Sequence, residues 1–203
     1  MSGTFNFIPK SFMRKSYLAR SPGENRRPAI SGNGISVPEK TSSYKEWAHR
    51  LETYAATEDV RAEIPYWAAE AAAAVVPGPR DHDLGPNVSA TADFVSTELG
   101  PDETAHLLTD AHQAYNTEVN DLLLTAFMRT LIQWSGHDEV AFDLEGHGRE
   151  DILDGMDVSR TVGWFTSLYP VVLKSPHTDL GTDIKYVKEK LHAIPNKGFN
   201  YGV

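Results

Sequence analysis

Residues 118–135 constrain the fold of this chain more than any other stretch. Val119, Leu122, Leu123, Ala126, Phe127, Leu131 and Trp134 recur at helical spacing and make an apolar stripe broad enough to need a sheet to cover it. Gly136 ends the helix, because glycine takes the left-handed backbone of a C-terminal cap without a side-chain clash. The pattern then switches to alternation, and Glu139–Gly146 (EVAFDLEG) reads as a strand. A helix joined to a strand by so short a turn belongs to an α/β layer.

The remaining pattern extends that architecture. Ser43 and Glu46 have the spacing of a capping box, and Tyr44, Trp47, Leu51 and Tyr54 mark an amphipathic helix over 43–56. A second helix is expected over 59–75 through Ile64, Trp67 and an alanine run, ended by Pro77, Gly78 and Pro79. Residues 77–90 read as a linker or exposed loop, and 91–99 (TADFVSTEL) alternates as a strand does. Pro101 opens a third helix, with Asp102 and Glu103 near the positive end of its dipole and Leu107, Leu108, Ala111 and Ala114 on its apolar face. A strand over 165–173 contains Pro170, which suits an edge or a bulge. A last helix over 181–193 is expected to bury Ile184, Val187, Leu191 and Ile194. Residues 1–37 carry little periodicity and several prolines and glycines, so an irregular or disordered arm is expected there, ahead of a domain over 38–203.

Composition excludes several classes of function. With 40% hydrophobic and 23% charged residues, the chain has the balance of a globular domain. Its net charge of -9 argues against nucleic-acid binding, which needs a basic face. Having no cysteine, it can form neither a disulfide nor a thiolate nucleophile nor a cysteine zinc site, and a reducing, cytoplasmic setting is the expectation. No apolar run approaches the ~20 residues of a membrane-spanning helix.

Two segments are poor structural filler. Glu145-Gly146-His147-Gly148-Arg149-Glu150 sets four ionisable residues around two glycines at a strand end, where α/β sheets tend to bind ligands. Glu145 leaves the strand where a carboxylate can act as general acid or base. The same residues also suit a polar turn, with Arg149 paired to Glu145 or Glu150. Asp151, Asp154 and Asp157 lie close to His147, but their spacing fits no metal motif, so no metal is expected. The second segment is Ser159-Arg160-Thr161-Val162-Gly163-Trp164-Phe165-Thr166-Ser167. There Arg160 can bind a carboxylate or phosphate, and the Trp164-Phe165 pair suits a core or channel wall.

Together these segments resemble the signature motifs of epimerization domains in nonribosomal peptide synthetases. E-G-H-G-R-E at 145–150 and S-R-T-V-G-W-F-T-S-L-Y-P at 159–170 form a long match, whereas ordinary condensation domains end the second pattern in Gly-x-Phe-x-Asn-Thr. K-T-S-S-Y-K-E-W-A at 40–48, Y-N-T-E-V-N-D-L-L-L-T-A at 115–126 and P-N-K-G-F-N-Y-G at 195–202 are similar to further family segments, so the resemblance covers about 38–203.

The resemblance implies an α/β fold: a chloramphenicol acetyltransferase-like lobe, with a mixed sheet flanked by helices, incomplete relative to the two-lobed family. It implies inversion of the α-carbon of an aminoacyl or peptidyl thioester presented on the phosphopantetheine arm of a peptidyl carrier protein, with no cofactor bound directly. A histidine of an H-H-x-x-x-D-G motif and the first glutamate of E-G-H-G-R-E handle the proton on opposite faces. Carried over, that glutamate is Glu145, and His147, Arg149, Glu150, Arg160, Trp164 and Tyr201 are motif or support residues. No His-His pair occurs among the eight histidines, and the final Phe-Asn-Tyr-Leu-Gly motif is missing. The expectation is therefore a partial domain, inactive until a missing N-terminal lobe or neighbouring synthetase domains complete it. The alternatives are a fragment of an amide-forming condensation domain and a non-catalytic lobe that docks a carrier protein.

Overall fold

A computed structural model of the chain describes residues 39–74, 88, 90, 93, 95–175 and 179–203, together with the backbone of 6–7, 30–31 and 34–35. Three short strands fall in the N-terminal stretch: β1 (Asn6–Phe7), β2 (Ile30–Ser31) and β3 (Gly34–Ile35). The order then runs α1 (Tyr44–Tyr54), α2 (Glu58–Ala73), α3 (Pro101–Leu108), α4 (Val119–Ser135), β4 (Glu139–Gly146), β5 (Ser167–Lys174) and α5 (Leu180–His192), ending in a turn of 3-10 type at Pro195–Gly202. One sheet has the order β1-β4-β5, with β1 parallel to β4 and Asn6 opposite Asp143. The other is the antiparallel pair of β2 and β3. Within the three-stranded sheet β5 lies at an edge, where its buried Pro170 lacks an N–H to donate at little cost.

The chain divides into two compact units. One comprises 1–4, 73–141 and 172–193, and its core joins Leu124, Met128 and Leu131 of α4 to Val172, Leu173, Ile184 and Val187. Gly136 caps α4 in the left-handed conformation, as the sequence predicts. The buried face of α4 differs from the expected stripe: Asp121, Leu124, Thr125, Met128 and Leu131 are buried, whereas Ala126 and Trp134 are exposed. Two polar residues can occupy that face because each is satisfied close by. The Glu118 N–H donates to the Asp121 carboxylate at 2.8 Å, and the Thr125 hydroxyl donates to the Asp121 carbonyl at 2.6 Å. Asp183 of α5 is wholly buried and accepts from Arg129 and from the Ser175 hydroxyl. The strand expected over 91–99 does not form across its described part, since residues 93 and 95–99 have no regular secondary structure and Val95 is fully exposed. The remainder of that segment, most of the 77–90 linker and most of the 1–37 arm lie outside the described residues.

The second unit comprises 5–72, 142–171 and 194–203 and holds both chemically rich segments. Ser43 caps α1 through the Glu46 N–H at 3.1 Å. On α2 the buried residues are Val60, Glu63, Trp67 and Glu70, while the expected Ile64 is 59% exposed. Two carboxylates thus share the inward stripe with Val60 and Trp67.

Candidate functional site

The site grows from the end of β4. By strand alternation Glu145 shares a face with Ala141 and Asp143, opposite the buried Phe142. It is half-buried, and its carboxylate has no hydrogen bond or ion pair among the described residues. An acid or base that must exchange a proton with a ligand needs that freedom.

Its neighbours on the loop are, by contrast, fully engaged. His147 accepts the Arg149 N–H on Nδ1 at 3.0 Å and lies 3.1 Å through Nε2 from a Glu150 oxygen. A neutral imidazole so placed carries its proton on Nε2, because Nδ1 is the acceptor. The other Glu150 oxygen lies 3.1 Å from Nζ of Lys197. His147 and Glu150 therefore brace the loop, while the Glu145 carboxylate stays unengaged among the described residues.

Arg149 organises the second segment. Its guanidinium donates to the carbonyls of Val158, Thr161 (2.9 Å) and Gly163 (3.4 Å), and lies 4.0 Å from the centre of the Phe165 ring. The Arg149 guanidinium, expected to pair with Glu145 or Glu150, is directed instead at three carbonyls of the irregular 158–163 loop. Phe165 is buried between Arg149, Tyr44 and Trp47, with ring centroids 5.1 and 4.9 Å away. Trp164 is instead 69% exposed, so only the second member of the expected aromatic pair is core. Arg160 is exposed and donates to the Glu39 carbonyl. Thr161 donates to the Ser42 carbonyl at 2.5 Å, and Ser42 N–H donates to the Asp157 carbonyl at 2.8 Å. The 39–44 segment thereby straps the 157–164 loop. Gly148 is in the left-handed region at φ 62°, and a Cβ there would overlap the Phe165 carbonyl.

The C-terminal turn belongs to the same unit and meets the loop through Lys197. Asn196, Lys197 and Gly198 are successively left-handed, at φ 43°, 51° and 79°. Gly198 packs against the Tyr169 ring with no room for a Cβ. Tyr201 is 41% exposed, its ring 5.1 Å from that of Trp67. Beneath the turn lies a polar cluster that the sequence pattern does not reveal. Glu63, 8% exposed, accepts from Trp67 Nε1 at 2.8 Å, Asn196 Nδ2 at 2.6 Å and Asn200 Nδ2 at 2.8 Å. The one available signal is the place of Glu63 between Val60 and Trp67 on α2, a position that periodicity alone assigns to apolar residues.

Among the described residues no group of three or more histidine, aspartate or glutamate side chains converges as a metal site. No helix among them is long and apolar enough to cross a membrane.

Two phenols of this unit titrate far from their ordinary range. Burial, helped by the negative charge of Glu150, pushes Tyr169 up from 10.0 to about 12. Burial, then Glu70 and Glu63, pushes Tyr66 up to about 12. A raised folded-state pKa favours the neutral form, so this contribution to stability is complete below pH 10 and is lost as pH rises through about 12. Alkaline titration followed by circular dichroism and tyrosinate absorbance should show unfolding within that window. Ionisation of all phenols near pH 10 with the fold retained would contradict the burial of Tyr169 and the partial burial of Tyr66 beside Glu70 and Glu63.

Comparison with known proteins adds to this geometry. The family model described as Condensation domain matches residues 29–203. Surfactin synthase subunit 2 of Bacillus subtilis (strain 168) is 43% identical over 169 residues, which make up 83% of this chain and 5% of that protein. Tyrocidine synthase 1 of Brevibacillus parabrevis is 44% identical over 177 residues, 86% of this chain and 16% of that one. Among solved structures, the epimerization domain from the third module of tyrocidine synthetase B superposes with a TM-score of 0.74 at 40% identity, covering 83% of this chain and 38% of that domain. The first condensation domain of the CDA synthetase gives 0.60 at 17% identity, a likeness of fold alone. The chain thus spans less than two fifths of these solved domains and a small part of the curated synthases.

Proposed function

This chain belongs to the condensation-domain family of nonribosomal peptide synthetases, and from that premise we propose that it forms part of an epimerization domain in which Glu145 handles the α-proton. The single observation that carries this reading is the unpaired Glu145 carboxylate at the end of β4, beside a loop whose other ionisable groups are all engaged. The 40% identity to an epimerization domain, against 17% to a condensation domain, supports inversion over amide formation. The substrate class is an aminoacyl or peptidyl thioester on the phosphopantetheine arm of a carrier protein.

The chemistry sets the division of labour. Inversion removes the α-proton from one face and returns a proton to the other, so it needs two groups across a cleft. The thioester acidifies that proton, and hydrogen-bond donors must stabilise the enolate oxygen as charge develops. Glu145 supplies one face. The sequence has no His-His pair, so the group on the other face is proposed to come from a further segment of the domain.

Exchange of the α-proton of a carrier-bound L-aminoacyl thioester with solvent deuterium tests the assignment. The 203 residues alone should give no exchange, and adding a polypeptide that carries the histidine motif should restore it. Glu145→Gln should then lower the restored rate by about 10²–10⁴, the usual contribution of a general acid or base. Exchange by the isolated chain that Glu145→Gln abolishes would overturn the two-part reading. Full activity of the complemented Glu145→Gln variant would overturn the role of Glu145.

A further inference from the structure

We propose that Glu63, although remote from Glu145 in sequence, is a positioning residue for its loop. It acts through the 195–202 turn, Lys197 and Glu150 on the orientation of His147. The assignment rests on the reading of Glu145 above only for its catalytic meaning.

Three observations carry it. First, Lys197 follows Asn196 in the left-handed region, which asparagine tolerates but a lysine avoids, and such strain persists only where surrounding structure over-determines it. The over-determining group is the Glu63 carboxylate, one oxygen of which accepts from both Asn196 (2.6 Å) and Asn200 (2.8 Å). Second, Asn200 Oδ1 is buried without a partner among the described residues. Asn200 Nδ2 donates to the Glu63 carboxylate and to the Tyr54 hydroxyl (3.1 Å), and of the two only the carboxylate can never donate in return, so the reverse orientation would set oxygen against it and Glu63 fixes the amide. Third, the turn so held delivers Lys197 Nζ to one Glu150 oxygen at 3.1 Å, while the other faces His147 Nε2 at 3.1 Å. Lys197 itself is mostly exposed. Its direction is therefore set by the backbone of the turn, not by packing around its side chain.

Long-range proton–nitrogen NMR correlations on the isotope-labelled 203-residue chain read this directly, since they report which imidazole nitrogen bears the proton. In the wild-type chain His147 should show the Nε2–H tautomer alone. Lys197→Met and Glu63→Gln should each convert it to a mixture of tautomers, while Lys197→Arg, which keeps the charge, should retain the wild-type pattern. A role confined to packing would leave His147 unchanged in Lys197→Met. A wild-type His147 pattern in either Lys197→Met or Glu63→Gln overturns the proposal. Should circular dichroism show Glu63→Gln unfolded, Asn196→Ala takes its place with the same expected shift, and an unchanged His147 there overturns it equally. No substrate is present, so this result is distinct from failure of the exchange assay on Glu145.

Discussion

Gly148→Ala should destabilise this chain far more than Gly136→Ala, although both glycines are left-handed, at φ 62° and 71°. At Gly136 a Cβ meets nothing within 4 Å, so alanine there suffers only the left-handed backbone, about 1–2 kcal/mol. At Gly148 the same strain is joined by overlap with the carbonyl carbon and oxygen of Phe165. Backbone cannot swing aside as a side chain can, and Phe165 is locked between Arg149, Tyr44 and Trp47. The expected cost is about 4 kcal/mol or more, in the range reserved for a named steric fault. Against an ordinary stability of about 5–15 kcal/mol, that removes most of the margin. Urea unfolding of the two variants side by side measures the difference. Equal midpoints would mean that the 145–150 loop does not sit on Phe165 as described.

The second large effect is expected at Arg149. Arg149→Met keeps the aliphatic length but removes every guanidinium donor to the carbonyls of Val158, Thr161 and Gly163, and the cation above Phe165. Leaving carbonyls unpaired costs about 1–3 kcal/mol each when they are buried. The Val158 carbonyl keeps the Thr161 N–H as a donor. With the loop also partly open to water, the total should come to about 3 kcal/mol. Arg149→Lys should recover less than half of it, because one ammonium cannot span three carbonyls in a fixed fork. The loss should also be local: amide exchange should quicken first at 157–165, ahead of α4 and α5. Uniform quickening across the chain, or a lysine variant as stable as wild type, would show that Arg149 contributes charge and not geometry.

The local elements were legible in the sequence. The β4 strand, the Gly136 cap, the Ser43 cap, the opening of α3 at Pro101 and the placing of α5 follow from periodicity and capping chemistry, interactions within a few residues of each other. The E-G-H-G-R-E segment also stands out, because ionisable residues crowded among glycines serve no purpose in a core, and S-R-T-V-G-W-F-T-S does so through Arg160 and its Trp-Phe pair. Tertiary structure alone decided which faces are buried. On α4 the inward stripe runs through Asp121 and Thr125, and on α2 through Glu63 and Glu70 instead of Ile64. It also turned Arg149 from a partner for carboxylates into a clamp on three carbonyls, and set Lys197 against Glu150. The physical reason is the same in each case. A hydrophobic pattern ranks residues by their cost of burial when unpaired, and that cost vanishes where a distant donor or acceptor is brought into reach. Asn196 and Asn200 lie 133 and 137 positions from Glu63, a distance over which no local pattern carries information.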